Sequence, residues 1–217
     1  QMRHCDIFVH YDDALYSKGS FVNRVQAKTV NGQSWLTVPI SYKYPAYISE
    51  LKIDNKKDWA TKHYKTLQNV LSGLPHYEDA MKIVEGYLNQ KYENLIDLNI
   101  QFTEATARYL RCSCEFKKSS DLGVDAKSSE KVLDICKSLR ASQYVSGHGA
   151  LKYLDHELLS SNGIETYYID YKHAPYPQKF GDFTPYITVL SLIASMGKSS
   201  HLNLISPVVH WDEFKNK

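Results

Sequence analysis

The stretch QYVSGHGALKYLDHELLSSNGIETYYIDY, residues 143–171, decides the fold class. Residues 143–145 read as a short strand, residues 150–161 as a helix, and residues 164–171 as a second strand. Gly163 stands where a glycine closes a helix. Strand, helix and strand in that order predict a parallel β-α-β unit with a right-handed crossover. Working outward, residues 128–139 read as a preceding helix and residues 112–116 as another strand. On the other side, residues 185–196 read as an apolar helix, with Pro185 acceptable in its first turn.

Nearer the N-terminus, residues 7–11 form a short strand that ends at Asp12-Asp13. Residues 25–30 and 34–40 flank Asn31-Gly32, a dipeptide suited to positive φ in a tight hairpin turn. A weak strand follows at 51–53. Asp54 or Asn55 can cap a helix that carries Trp59, His63, Leu67, Val70 and Leu71 on one stripe and stops at Gly73 and Pro75. Two further periodic segments, 78–90 and 94–110, complete a helical middle section. The expectation is one α/β domain over residues 1–217, with a mixed sheet, an N-terminal β-hairpin, that helical middle and C-terminal β-α-β units. Because the chain enters a strand almost at once, an extreme N-terminal strand is expected to be missing from it.

Composition excludes several classes of function. Twenty-six basic residues against 24 acidic ones leave a formal net charge of +2, too little for a broad claim on nucleic acid or an anionic membrane. With 43% apolar and 23% charged residues, the chain is neither disordered nor fibrous. The longest apolar run, residues 186–196, is about half of what a membrane-spanning helix needs, so no membrane insertion is expected. Cys5, Cys112, Cys114 and Cys136 lack the spacing of a zinc site and read as buried free thiols, which suits the cytoplasm. Seventeen tyrosines suit a wide cleft, an interface or the edge of a core.

Three segments could carry chemistry. Ser146, Gly147, His148 and Gly149 lie at a strand's C-terminal end, where backbone N–H groups can meet phosphate or carboxylate. A plain tight turn would want the same glycines. His10, Asp12 and Asp13 are followed by Lys18, Asn23 and Arg24. Two carboxylates at a strand end could hold Mg²⁺ or pair with Lys18 and Arg24, but alternation separates Asp12 from Asp13 and leaves no obvious third ligand. Arg24 and Lys28 share a hairpin face suited to gripping phosphate, or to simple solvated charge. Tyr176 and Gln178 lie in a turn-rich aromatic loop that can line a sugar or base, or simply pack. His63 shares its stripe with Trp59, more often the pattern of a satisfied, partly buried histidine than of a catalyst. No residues assign a cofactor, and the oligomeric state is left open.

Together these residues resemble the WbqC-like protein family. The resemblance is carried by Asp6-Ile7-Phe8-Val9, Asp12-Asp13, Ser17-Lys18, Asn23-Arg24, Asn31-Gly32 and Trp35-Leu36-Thr37-Val38-Pro39. It continues through Trp59 with His63, Leu98-Asn99, Tyr144-Val145-Ser146-Gly147, Tyr153-Leu154-Asp155, Tyr176 with Gln178, Phe183 with Pro185, and Gly197. A segment that usually opens members of this family, ahead of the Asp-x-Phe-Val strand, is absent here. The resemblance implies bacterial surface-polysaccharide (O-antigen) biosynthesis. The reading it suggests is a cytoplasmic transferase acting on a small-molecule substrate, a nucleotide-linked amino sugar, by acyl or aminoacyl transfer. Lys18, Arg24 and the 146–149 turn would bind phosphate or carboxylate, and Asp13 or His63 would be the general base. The alternative is a non-catalytic module that holds a precursor or organises glycosyltransferases.

Overall fold

The computed structural model describes residues 1–216 of the 217-residue chain. Its strands are β1 (Ile7–His10), β2 (Arg24–Thr29), β3 (Gly32–Thr37), β4 (Ile40–Ser41), β5 (Lys52–Ile53), β6 (Glu115–Lys118), β7 (Gln143–Ser146), β8 (Glu165–Ile169) and β9 (Val208–His210). Its α-helices are α1 (Trp59–Leu71), α2 (Tyr77–Leu88), α3 (Leu95–Tyr109), α4 (Ser128–Ser138), α5 (His156–Ser161), α6 (Val189–Met196) and α7 (Trp211–Phe214). The fold is mixed α/β with several small sheets. The chain divides into two units: Gln1–Tyr11, Cys112–Lys172 and the segment from Ile205 onward form one, and Asp12–Arg111 with His173–Leu204 form the other.

In the first unit β7 and β8 pair in parallel from Gln143↔Glu165 to Ser146↔Tyr168, as the sequence predicts, and β9 adds antiparallel to β8. β1 and β6 form a second parallel pair. Residues 150–161 are not one helix. A 3-10 helix, His148–Lys152, comes first, and α5 starts only at His156. The break comes at Asp155, whose backbone N–H donates to Ser129 Oγ (2.9 Å) while its side chain accepts from Leu158 N to cap α5. Gly163 takes φ +77° after α5, the left-handed conformation that suits glycine. The strand expected at 112–116 begins at Glu115, because the first rung of its ladder is Glu115 N to Asp6 O, at 2.7 Å. Leu133, Cys136, Leu159, Ile164, Tyr168 and Phe214 form this unit's core.

In the second unit β2 and β3 form the expected antiparallel hairpin, closed by the pair Thr29↔Gly32. The turn therefore lies on Val30 and Asn31, and only Gly32, at φ +99°, has positive φ. Ala27 and Leu36 face the core, and the opposite face carries Arg24, Gln26, Lys28, Gln33 and Trp35. α1 buries the predicted stripe of Trp59, His63, Leu67, Val70 and Leu71. Its N-cap is Asp58, not Asp54 or Asn55, because Asn55 Nδ2 instead donates to Tyr92 O (2.8 Å). α6 starts at Val189, four residues after Pro185. Thr188 is held extended by its N–H bond to Gln26 O on the hairpin (2.7 Å), and its Oγ1 caps the helix at Leu190 N. Tyr16, Val38, Leu51, Ile53, Trp59, Leu95 and Leu98 make up this unit's core.

Candidate functional site

The residues nominated from the sequence fall in both units. Asp13, Lys18, Asn23, Arg24, His63, Tyr176 and Gln178 belong to the second, and Ser146, Gly147, His148 and Gly149 to the first.

Four of the second unit's residues, Asp13, Lys18, Asn23 and Arg24, lie on one stretch of chain. Residues 12–16 run antiparallel to residues 46–49, through Tyr16 N to Ala46 O (2.8 Å), Ile48 N to Ala14 O (2.9 Å) and Ser49 N to Asp12 O (2.9 Å). This leaves Asp12 buried and Asp13 half-buried. A tight turn follows, closed by Ser20 N to Ser17 O (3.1 Å), with Gly19 at φ +86° and Lys18 exposed at its apex. Arg24 Nη2 donates to the Gly19 carbonyl, and its guanidinium carbon lies 4.2 Å from the centroid of the Trp35 ring. Phe21 packs on the same indole at 5.6 Å. Two atoms in this loop, Ser20 Oγ and Arg24 Nε, are buried without a hydrogen-bond partner among the described residues. Asn23, in contrast, engages both its amide oxygen and its amide nitrogen. It accepts from Tyr16 Oη (3.2 Å) and donates through Nδ2 to Val38 O (3.0 Å), which braces the hairpin's root.

Lys28 does not keep its ammonium for a ligand. It donates to Gln178 Oε1 (3.2 Å), to Gly181 O (3.0 Å) and to Asp182 O. Gln178 in turn donates from Nε2 to Thr184 O (2.8 Å) and accepts from Thr184 N (3.1 Å), so its amide closes the aromatic loop onto itself. Tyr176 packs against Phe183 at 5.4 Å, and burial raises the pKa of its hydroxyl above the ordinary value. His63 is 7% exposed, 5.3 Å from the Trp59 ring, with Nε2 3.2 Å from Thr37 O. A carbonyl only accepts, so Nε2 carries the proton and Nδ1 is left as the basic nitrogen. Burial holds this imidazole below its ordinary pKa, against the smaller opposing effect of the Thr37 bond.

In the first unit, Ser146 is buried, and Tyr144 Oη donates to its Oγ (3.4 Å). His148 Nε2 lies 2.7 Å from Ile169 O, and the ring contacts Tyr171 at 5.2 Å and Phe214 at 4.9 Å. Gly147 has φ −88°, and a Cβ there would meet Gln1 Nε2 and Tyr171 Oη at 3.5 Å, ordinary contact distance; Gly149 has nothing within 4 Å. Neither glycine is required by backbone strain or by its neighbours. The turn leads into a five-residue 3-10 helix, so it lacks the aligned dipole of an α-helix.

The sequence profile of the WbqC-like protein family matches residues 1–202. The chain belongs to this family. A protein of Mycobacterium tuberculosis (strain ATCC 25618 / H37Rv) described as "Uncharacterized protein Rv1507c" is 32% identical to it over 196 residues, 88% of this chain and 84% of that one. No solved structure matches. Several motifs of this WbqC-like chain prove to be braces. Asn99 Nδ2 donates to Val22 O (2.9 Å), and Gly197 lies directly against the His76 ring. Among the described residues there is no group of three or more His, Cys, Asp or Glu able to hold a metal, and no helix long and apolar enough to cross a membrane. Sequence reasoning missed Ser20, Phe21 and Trp35 as site residues. Alternation along β3 puts Trp35 on the face opposite Leu36, which is a usable signal. The Phe21 contact and the two buried orphan atoms have no sequence signal.

Proposed function

We propose that this WbqC-like protein is a cytoplasmic transferase of bacterial surface-polysaccharide (O-antigen) biosynthesis that acts on a nucleotide-linked amino sugar by acyl or aminoacyl transfer. The observation that carries the reading is the 17–24 loop. It combines an exposed Lys18, a guanidinium laid on Trp35, and two polar atoms, Ser20 Oγ and Arg24 Nε, buried without partners. A buried polar atom left unpaired costs about 1–3 kcal/mol, so each one calls for a partner, whether a ligand group or a bridging water. Two cations on one short loop suit a diphosphate.

In this reading Asp13, a carboxylate on the stretch that leads into this loop, takes the proton from the sugar's amine as nitrogen forms the new bond to the acyl carbon and the acyl–carrier bond breaks, the carrier leaving with the electron pair. His63 is the second candidate base. It would act through Nδ1, and its depressed pKa keeps it neutral and proton-accepting near pH 7. Within their own unit, Tyr176 and Gln178 would shape the sugar's surroundings; the 146–149 turn, in the other unit, would be a separate place for a phosphate or carboxylate on its backbone N–H groups. Native mass spectrometry of the protein with nucleotide sugars, before and after adding acyl donors, tests this. Transfer appears as a mass gain on the sugar, and Asp13→Asn should retain the complex while cutting turnover by roughly 10²–10⁴-fold. Binding with no turnover for any amino-sugar nucleotide would leave the second reading, a non-catalytic precursor-binding or scaffold module. One observation favours that reading: Asn23, Gln178 and His63 spend polar atoms on the protein's own backbone.

A further inference from the structure

We infer that Phe21 and Trp35 form a stacking wall for the base of a nucleoside diphosphate whose phosphates lie on Lys18 and Arg24, an assignment that rests on the phosphate reading of the 17–24 loop. Phe21 is 74% exposed and Trp35 40% exposed, while the opposite face of the same hairpin buries Ala27 and Leu36 completely or nearly so. One exposed aromatic residue is unremarkable in a folded protein. Here two rings touch each other at 5.6 Å and 51°, and a guanidinium lies 4.2 Å from the indole centroid. Arg24 is held there by the Gly19 carbonyl, so cation and ring are pre-arranged rather than ordered on binding.

The juxtaposition determines the ligand chemistry. A planar base has π faces to lay on Phe21 and the exposed part of Trp35, and stacking of this kind tolerates any base. A phosphate adjoining it would meet the Arg24 guanidinium, through the nitrogen that neither faces Gly19 nor is buried, and the Lys18 ammonium at the turn's apex. A bare pyrophosphate can use the cations and gains nothing from the rings. A nucleoside without phosphate can use the rings and gains nothing from the cations.

Isothermal titration calorimetry of the full chain with uridine diphosphate, adenosine diphosphate, pyrophosphate and uridine separates these parts. Both nucleoside diphosphates should bind at least about tenfold more tightly than pyrophosphate. Phe21→Ala, at a position too exposed to matter for folding, should erase that excess and leave pyrophosphate affinity unchanged. Trp35→Leu should erase it too, and Arg24→Ala should weaken nucleoside diphosphate and pyrophosphate alike. Equal affinity for uridine diphosphate and pyrophosphate in the unaltered protein, or a Phe21→Ala variant that keeps the full excess, overturns the stacking wall and leaves the phosphate reading standing. If neither nucleoside diphosphates nor pyrophosphate bind, the phosphate reading fails and the wall falls with it.

Discussion

Gly197 is the position where one added methyl group should be felt most. It follows α6 at φ 55° and ψ −137°, a region that residues with a side chain enter only at a cost of about 1–3 kcal/mol. A Cβ built there would lie 2.5 Å from His76 Nδ1 and 2.6 Å from Cγ and Cε1, well inside contact distance. The His76 backbone cannot retreat easily, because its N–H donates to Ala194 O at 2.8 Å. The ring can, since its side chain is 45% exposed and only a 4.0 Å approach to Asp79 is lost. Swinging it aside therefore adds about 1 kcal/mol rather than the full cost of an overpacked core. Gly197→Ala should thus destabilise by about 2–4 kcal/mol, which lowers the melting temperature of a chain this size by roughly 4–16 °C. Thermal unfolding followed by circular dichroism reads the shift directly. The variant His76→Ala/Gly197→Ala should recover only the ring's share, about 1 kcal/mol, in a double-mutant cycle. A single variant that melts within about 2 °C of the unaltered protein would refute the backbone argument.

Gln178→Ala removes the amide that bonds Thr184 N, Thr184 O and Lys28 Nζ. It should cost about 1–3 kcal/mol by chemical denaturation and open the 178–184 loop to limited proteolysis; an unchanged cleavage pattern would contradict the bracing role. Burial depresses the pKa of His63 below 6.5, so the folded state prefers the neutral ring and the unfolded chain binds more protons. Its stabilising contribution is complete above pH 6.5 and is lost as the pH falls below that value toward the folded pKa. A urea titration series should show this as a falling midpoint, and His63→Gln, which can still donate to Thr37 O, should flatten the fall. Gly147→Ala should leave the melting temperature within about 1 °C, because its φ is ordinary and its nearest neighbours are 3.5 Å away. A loss of nucleotide-sugar binding in that otherwise stable variant would tie the turn to a ligand, and unchanged binding would remove it from the site.

Local rules explain what could be read without coordinates. The hairpin around Asn31 and Gly32, the buried stripe of α1, the helix stop at Gly163 and the parallel pairing of β7 with β8 each depend on residues within a turn or two of one another, or on a periodicity of burial. Alternation of strands and helices was enough for the α/β class, and the spaced motifs were enough for the family. The candidate loop is half legible: Lys18 and Arg24 stand out as charges, whereas nothing in the sequence marks Phe21, and only the structure shows that it and Trp35 are exposed.

The remaining features depend on partners far along the chain, which no window of sequence contains. Lys28 reads as a phosphate ligand until residues 178–182 supply the acceptors that occupy it. Helix α6 waits until Val189 because Thr188 is tied to Gln26, and residues 150–161 split because Asp155 N bonds Ser129. In each case a backbone or side-chain polar group, once removed from water, must find a partner, and only the tertiary structure decides which partner is within reach.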